Sequence, residues 1–232
     1  MTNIIKKAFF RIVDKSLTQT GYILSVRKWG PGSMYEIDLH LPETDMGKWK
    51  VIPRIKVKVS DFEYRDYSPC NWDVIDRTCT VFIEAGHEGP GSKWVKDLNA
   101  GDPFLFAGAA AASLPRTNGK VLCIGDGSAL GHFLAFKQLS NQEEFRLEVI
   151  ISLDSLYTIP PGTIDSNPEF QFIRHAHQHS HIRLDQISTI SDLSGMSSIC
   201  IAGYTPMVQE LRKSLKDDPT ITAKISGNGF WR

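Results

Sequence analysis

The chain has 232 residues, 41% of them hydrophobic, which is enough for one large domain or two small ones with proper cores. Its 26 Lys and Arg residues equal its 26 Asp and Glu residues, so no basic surplus points to nucleic acid or to an anionic membrane. No segment approaches the roughly 20 apolar residues of a membrane span, and the amino terminus has no long apolar signal-peptide run. The four cysteines lack paired spacing, which favours a reducing, cytoplasmic location.

The first half of the chain carries repeated β-strand signals. Short runs with alternating apolar and polar residues are separated by turn clusters such as Gly30-Pro31-Gly32-Ser33. This spacing predicts a closed antiparallel β-barrel, with one helix that begins near Ser92. The predicted strands cover residues 21–28, 34–41, 55–59, 79–85 and 104–106.

The pattern changes after Gly108, where residues 109–119 resemble a connector. Beyond it, strands and helices alternate, which predicts an open, mostly parallel sheet with helices on its faces. The predicted division is a β-barrel domain over 1–112 and an α/β domain over 117–232. The predicted strands of the second half cover 121–124, 145–152, 170–174, 197–202 and 220–225, with helices from Leu130 and over 205–215.

A glycine-rich turn organises the second half. The apolar run Val121–Ile124 is followed by Gly125-Asp126-Gly127-Ser128 and then by a helical pattern that begins at Leu130. A strand, glycine turn and helix in this order present free N–H groups to a phosphate. The glycines are not in the G-x-G-x-x-G register, so an ordinary strand-to-helix turn remains an alternative.

Two stretches of the first half carry possible ligand-binding chemistry. In Arg65-Asp66-Tyr67-Ser68, the arginine offers a donor fork for phosphate, the tyrosine a flat ring face, and the serine a hydroxyl group. In a strand, Arg65 and Tyr67 would share one face. The run from His87 to Trp94 is a glycine-rich turn that leads into a helix capped by Ser92, a second possible anion site. A surface strand end and a capped helix are the alternative interpretations.

Together these stretches resemble a known family. Arg65-x-Tyr67-Ser68, the run from His87 to Trp94 and the turn Asn99-Ala100-Gly101-Asp102 are similar to the flavin-binding barrel of the ferredoxin-reductase superfamily. The closer resemblance is to its siderophore-interacting, ferric-siderophore reductase branch. In that branch an R-x-Y-[ST] motif precedes H-G-x-x-G-P-A-S-x-W and a G-D turn.

The second half carries matching motifs. The turn from Gly125 to Leu130 is similar to the branch's G-D-E-T-A-L turn, and Ala202-Gly203 precedes a helix that contains Arg212. The ending Phe230-Trp231-Arg232 resembles the branch's aromatic Y-W-R tail. The resemblance therefore extends from about Met34 to the end of the chain.

The resemblance implies a role for each matched residue. Two of them, Ser68 and Trp231, are expected at the reacting ring. In the barrel it implies that Arg65, Gly91 and Ser92 bind the FAD pyrophosphate. It implies that Tyr67 contacts the ribityl and isoalloxazine region, that Ser68 lies on the flavin N5 side, and that His87 lines the flavin. In the second half it implies that Gly125, Asp126, Gly127 and Ala129 form the nicotinamide-nucleotide turn, with Gly203 near the nicotinamide.

Several positions depart from the branch's pattern. Cys70 stands where the branch often has an arginine, and Gly127-Ser128 replaces Glu-Thr. Gly131 replaces the usual proline, and Ala202 replaces a cysteine that many superfamily members carry. These changes affect the expected nucleotide and siderophore sites more than the expected flavin site.

The implied function is an FAD-dependent oxidoreductase that takes hydride from NADH or NADPH and reduces a ferric siderophore or another ferric chelate, which releases the iron. The expected protein is a monomer with a small-molecule substrate, no nucleic-acid partner and no membrane span. One alternative is a general flavin reductase or an electron-transfer partner of another protein. The other is a protein that binds flavin or a chelate without useful turnover.

Two further segments leave alternatives open. The run from His175 to His181 places a histidine at every second position and could bind a transition metal, or it could be an exposed loop. The glycines of the tail Gly227–Arg232 permit a sharp bend, which would let Trp231 cover the flavin where nicotinamide must arrive. The alternative is a last strand whose Trp231 fills the gap between the domains.

Overall fold

The computed structural model of the protein describes residues 19–112, 119–140, 145–175 and 182–231. These residues form two sheets, one antiparallel with seven strands and one with five strands. The predicted fold class is confirmed: an antiparallel half-barrel comes first, and an open sheet with helices follows it.

The antiparallel sheet has the strand order β4-β3-β7-β1-β2-β6-β5. Its buried positions alternate along the strands, as at Ile55, Val57 and Val59, because one face packs inward and the other meets solvent. Its strands are β1 (Gln19–Trp29), β2 (Met34–His40), β3 (Ile52–Ser60), β4 (Glu63–Tyr67), β5 (Cys70–Asp73), β6 (Thr78–Glu84) and β7 (Pro103–Ala112). A short helix, α1 (Pro90–Lys96), connects β6 to β7.

The second sheet has the order β10-β9-β8-β11-β12, and every ladder in it is parallel. Its central strands are apolar because helices and the first half of the chain cover them. The strands are β8 (Gly119–Asp126), β9 (Phe145–Asp154), β10 (Phe170–His175), β11 (Ser198–Tyr204) and β12 (Lys224–Trp231). The helices are α2 (Leu130–Leu139), α3 (Pro161–Asp165), α4 (Leu184–Ser188) and α5 (Thr205–Asp217).

One hydrophobic cluster joins the two halves of the chain. Trp29, Met34 and Phe82 of the half-barrel pack in one buried cluster with Phe133 and Leu153 of the second half. Helix α2 therefore lies between the two sheets and is buried along most of its length. The division into domains at 1–112 and 117–232 remains a proposal, and residues 113–118 of the predicted connector lie outside the described residues.

A polar contact also joins the halves. The Tyr157 hydroxyl donates to Glu84 Oε2, and Ser33 Oγ donates to Glu84 Oε1 at 2.8 Å. The same two hydroxyl groups lie 3.1 Å apart. A Cβ at Gly32 would lie only 1.8 Å from the Tyr157 ring, so the loop after β1 needs glycine there to let the ring approach.

Three sequence-based boundaries are wrong. Residues 109–112 belong to β7 rather than to a connector, and the last strand covers Lys224–Trp231 rather than 220–225. Helix α1 begins at Pro90 after an N-cap at Gly89, so Ser92 lies within its first turn and does not cap it. Among the described residues, no helix is long and apolar enough to cross a membrane.

Candidate cofactor site

A cavity of about 580 Å³ opens between the half-barrel and the second sheet. Its size lies in the range of small-molecule and cofactor sites. Seven residues predicted for the flavin site line it: Arg65, Tyr67, Ser68, His87, Gly91, Ser92 and Trp231. The structure therefore brings together residues that lie far apart in the sequence.

Strand β4 supplies one wall of the cavity. Arg65 pairs with Val57 and Tyr67 pairs with Ile55 on β3, so both side chains lie on the sheet face that carries buried apolar residues. The Tyr67 ring stacks on Trp94 of α1 at a centroid distance of 6.1 Å, and burial raises the pKa of its hydroxyl. The Arg65 guanidinium is exposed and donates only to the Tyr64 carbonyl at 2.7 Å among the described contacts.

Helix α1 supplies a close backbone approach and an unsatisfied hydroxyl group. A Cβ at Gly91 would lie 2.6 Å from Tyr67 Oη and 3.2 Å from Arg65 Cγ, so only glycine leaves this corner open. Ser92 is 2% exposed, and its Oγ has no hydrogen-bond partner among the residues that the structure describes. Because an unpaired buried hydroxyl is costly, an acceptor or donor in the cavity would satisfy it.

Helix α2 brings His132 to the cavity, a residue that the sequence analysis did not identify. His132 Nδ1 lies 3.4 Å from Ser68 Oγ, and its ring makes an edge contact with Phe230 at 5.4 Å. Burial, with a smaller effect of the Arg54 charge, lowers the pKa of His132 to about 4. The only sequence signal was a histidine within an otherwise apolar helical run.

Trp231 joins the second sheet to the half-barrel at the cavity. Its ring stacks on His87 at 5.2 Å with an interplanar angle of 5°, and it contacts Tyr204 at 4.5 Å. Its Nε1 donates to Ser128 Oγ at 3.2 Å. Both predicted positions for this ring are thus compatible with the structure, because Trp231 bridges the two halves and also lines the cavity.

Of the two alternatives for the tail, the bend is wrong and the last strand is correct, because residues 224–231 form a strand parallel to β11. The glycines are explained by helix packing instead. A Cβ at Gly227 would lie 2.9 Å from Val208 Cγ1, and one at Gly229 would lie 2.4 Å from Thr205 Oγ1. Helix α5 therefore packs directly against the backbone of β12.

The turn after β8 uses its polar groups internally. Asp126 Oδ1 accepts from Ser128 N and Ser128 Oγ at 2.9 and 2.5 Å, while its Oδ2 accepts from Tyr204 N at 2.7 Å. Gly203 has φ +121°, and a Cβ there would lie 2.5 Å from Asp126 Oδ1. Burial raises the pKa of Asp126, although these hydrogen bonds act in the opposite direction. Asp126 therefore ties the turn to the end of β11.

The other residues of the predicted nucleotide turn are covered by protein. Gly125, Gly127 and Ala129 are buried, and a Cβ at Gly127 would lie 2.6 Å from Met34 Cε in the half-barrel. None of these three lines the cavity, and neither do Asp126 and Gly203. Their role in nucleotide binding remains a prediction.

Cys70 and the histidine run are two other features that the sequence pointed to. Cys70 is fully buried, and its Sγ donates to the Thr80 carbonyl at 3.3 Å, so this position has no room for the arginine of the branch's pattern. His175 ends β10, while the remainder of the histidine run lies outside the described residues. No cluster of three or more potential metal ligands is present in the part of the chain that the structure describes.

Comparison with known proteins supports the fold. The sequence matches no family model, and no curated protein matches it. A siderophore-interacting protein from Acinetobacter baumannii superposes with a TM-score of 0.68 at 14% identity, over 93% of this chain and 90% of that one. The ferredoxin reductase of carbazole 1,9a-dioxygenase, in its FAD apo form, has a TM-score of 0.67 at 18% identity, over 93% and 67% of the two chains.

An intact type IV self-sufficient cytochrome P450 monooxygenase shares the same fold, with a TM-score of 0.70 at 16% identity. The match covers 90% of this chain, which spans only 28% of the length of that enzyme. These similarities confirm that the chain has the two-sheet fold of siderophore-interacting proteins and ferredoxin-reductase-like flavoprotein reductases. At such low identities the shared property is the fold.

Proposed function

We propose that the protein binds FAD noncovalently in the cavity and acts as an NAD(P)H-dependent oxidoreductase that reduces ferric siderophores or other ferric chelates. The observation that carries the proposal is Ser92, which lines the cavity together with Arg65 and Gly91 and whose buried hydroxyl has no partner among the described residues. An acceptor-rich, anionic group such as a pyrophosphate fits this corner because the corner combines the Arg65 guanidinium, a hydroxyl group that can donate and an open backbone.

The remaining wall fits a planar ring system. Tyr67, His87 and Trp231 present ring faces or edges, while Ser68 presents a hydroxyl group beside them. Bound FAD would supply the capacity to accept a hydride and release single electrons. The protein's own contribution is to hold the ring, exclude water from one side and keep Ser68 within reach of it.

Trp231 is proposed to occupy the place where nicotinamide arrives. Its hydrogen bond to Ser128 and its stacking on His87 hold it there, and contacts of this kind contribute only about 0.5–1.5 kcal/mol each, so the ring can be displaced. Deletion of residues 230–232 is therefore expected to keep the fold and FAD binding but to strengthen nicotinamide binding. Titration of FAD-loaded protein with NADH would measure this, and unchanged affinity would place Trp231 outside the nicotinamide path.

One observation favours the second candidate function, an electron-transfer flavoprotein that accepts electrons from another protein. The turn expected to bind nicotinamide nucleotide already satisfies Asp126 internally and buries its glycines. Such a protein would bind FAD equally well but would not need this turn to receive a nucleotide.

Anaerobic mixing of FAD-loaded protein with NADH and with NADPH distinguishes the two candidates. Rapid bleaching of the flavin absorbance supports the NAD(P)H-dependent oxidoreductase, and subsequent turnover with a ferric chelate, compared with free flavin and cytochrome c, identifies the acceptor. If neither nucleotide bleaches the flavin but a reduced ferredoxin does, the electron-transfer protein is the correct function.

A further inference from the structure

The side chains of Ser68 and His132 lie next to each other in the cavity, and their hydrogen bond can run in either direction. Ser68 follows β4 of the half-barrel, and His132 lies in α2 of the second half, 64 positions later. Both line the cavity, and the 3.4 Å separation of Ser68 Oγ and His132 Nδ1 is the only described side-chain hydrogen bond of Ser68. The direction of this bond decides what Ser68 offers to a ligand.

We propose that His132 is a positioning residue that donates its Nδ1–H to Ser68 Oγ, so that the Ser68 hydroxyl hydrogen points into the cavity as a donor. The opposite tautomer would accept the Ser68 hydrogen and leave only oxygen lone pairs facing the cavity. A ring system with nitrogen or carbonyl acceptors at its edge would bind to the first arrangement and be rejected by the second. This inference rests on the proposed function, since oxidised flavin has such an edge.

The surroundings of His132 support the donor tautomer. The ring is 7% exposed and packs edge-to-face against Phe133 and Phe230, so it cannot rotate freely. Arg54 on β3 is the charged group that acts on it, and a nearby cation disfavours the imidazolium form. With Nδ1 engaged by Ser68, the donor tautomer leaves an unprotonated lone pair on Nε2, which the positive charge of Arg54 favours over an N–H.

The contacts of His132 also favour the neutral form of its imidazole ring. No carboxylate is within hydrogen-bond distance of His132 among the described contacts, so nothing stabilises a second ring proton. Besides Arg54, the other titratable groups that line the cavity are Lys56, Tyr64, Arg65, Asp66, Tyr67, Glu84 and His87. His132 therefore holds the Ser68 hydroxyl in one orientation across the physiological pH range.

The first test uses the FAD-free protein and so does not depend on the proposed function. Nitrogen-15 NMR of the histidine side chains, with His132 assigned by its absence in His132→Phe, reports which ring nitrogen carries the proton. We expect the Nδ1–H tautomer, and we expect Ser68→Ala to shift this resonance while His40→Phe on the barrel surface leaves it unchanged. An Nε2–H tautomer, or a resonance indifferent to Ser68→Ala, overturns the proposal.

The second test uses FAD-loaded protein. His132→Phe keeps the ring shape without nitrogen, whereas His132→Asn places a side-chain amide near the Nδ1 position and can still donate to Ser68. We expect His132→Phe and Ser68→Ala to shift the flavin midpoint potential by the same amount. The double variant should show no larger shift than either single variant, and His132→Asn should have a potential close to that of the wild type. The turnover number should fall about tenfold in His132→Phe with little change in KM.

The two tests separate the possible failures. If the protein binds no FAD, the proposed function is wrong and the role of His132 toward the flavin falls with it. If FAD binds and the potential is identical in wild type and His132→Phe, only the positioning role is wrong. A potential that shifts equally in His132→Phe and His132→Asn would also contradict it, because ring packing alone would then explain the effect.

Discussion

Polar groups on the two sides of the interface between the half-barrel and the second sheet differ in whether they are hydrogen-bonded within the protein. On the half-barrel side, Arg65 and Ser92 line the cavity. Within the described ranges Arg65 has no carboxylate partner, and Ser92 Oγ has no hydrogen-bond partner. On the side of the second sheet, every carboxylate oxygen of Asp126 is bonded within the protein. The half-barrel side is the one that we propose receives a ligand, whereas Asp126 on the other side connects strands β8 and β11.

This difference separates two classes of glycine that look alike in the sequence. Gly91 leaves space beside Tyr67 and Arg65 at the cavity, whereas Gly203 and Gly127 leave space for Asp126 and Met34 inside the protein. Substitution on the half-barrel side should therefore affect ligand binding, and substitution in the turn should affect folding.

The largest expected effect is on the contact between the turn after β8 and the end of β11, where Gly203 lies. Gly203→Ala forces a side chain into a φ of +121° and against Asp126, and should lower the free energy of unfolding by about 3 kcal/mol. Gly108→Ala is the matched control, because a Cβ there meets nothing within 4 Å. Urea denaturation of the two variants measures the difference. A stable Gly203→Ala variant that loses FAD binding would instead place Gly203 in the ligand site.

The pH dependence of stability should reveal His132. Its pKa is about 4 in the folded protein and about 6.5 in the unfolded chain, so the unfolded state binds more protons between these values. The contribution of the neutral His132 to the free energy of unfolding is therefore fully present above pH 6.5 and is lost as the pH falls to 4. The total loss is at most about 3 kcal/mol. His132→Phe should remove this part of the pH dependence, whereas His40→Phe should retain it. Identical profiles for His132→Phe and wild type would contradict the buried neutral state.

On the half-barrel side, Arg65→Ala should weaken FAD binding about 100-fold, because a charge-assisted contact to phosphate is lost. Its stability should stay within about 0.5 kcal/mol of wild type, since the side chain is exposed. Arg146→Ala, at the start of β9, serves as the control and should bind FAD normally. Equal affinity in both variants would show that Arg65 does not meet the pyrophosphate.

The smallest expected effect is on FAD binding by a serine variant. Two serines are compared, and in each the Oγ is buried without a hydrogen-bond partner among the described residues. Ser92 lines the cavity, whereas Ser198 lies in β11 and does not. Removing either hydroxyl should leave the FAD-free protein equally stable or slightly more stable, because an unsatisfied group is lost. Only Ser92→Ala should weaken FAD binding, by about tenfold. Isothermal titration and thermal unfolding of both variants would test this pair.

The sequence predicted those features that depend on local periodicity or on a preserved set of motifs. Arg65 and Tyr67 share a face because side chains alternate in a strand, and the resemblance placed them with His87, Gly91 and Ser92. The parallel second sheet followed from alternating strands and helices. These properties need no knowledge of distant contacts.

The features that the sequence did not predict depend on partners far along the chain. Asp126 is bonded to Tyr204, 78 positions away, and His132 to Ser68, 64 positions away. Gly227 and Gly229 were interpreted as a bend, yet they accommodate helix α5 against β12. A short polar or glycine signal has no unique meaning until the fold supplies its neighbour.

The most direct test of the central claim is FAD titration of the purified protein and of Gly91→Ala, with Gly108→Ala as control. We expect wild type and Gly108→Ala to bind one FAD per chain, and Gly91→Ala to remain folded but to lose most of its affinity because its Cβ closes the corner between Tyr67 and Arg65. A wild-type protein that stays colourless and takes up no added FAD would contradict flavin binding in this cavity. FAD binding unaffected by Gly91→Ala would show that the flavin lies elsewhere.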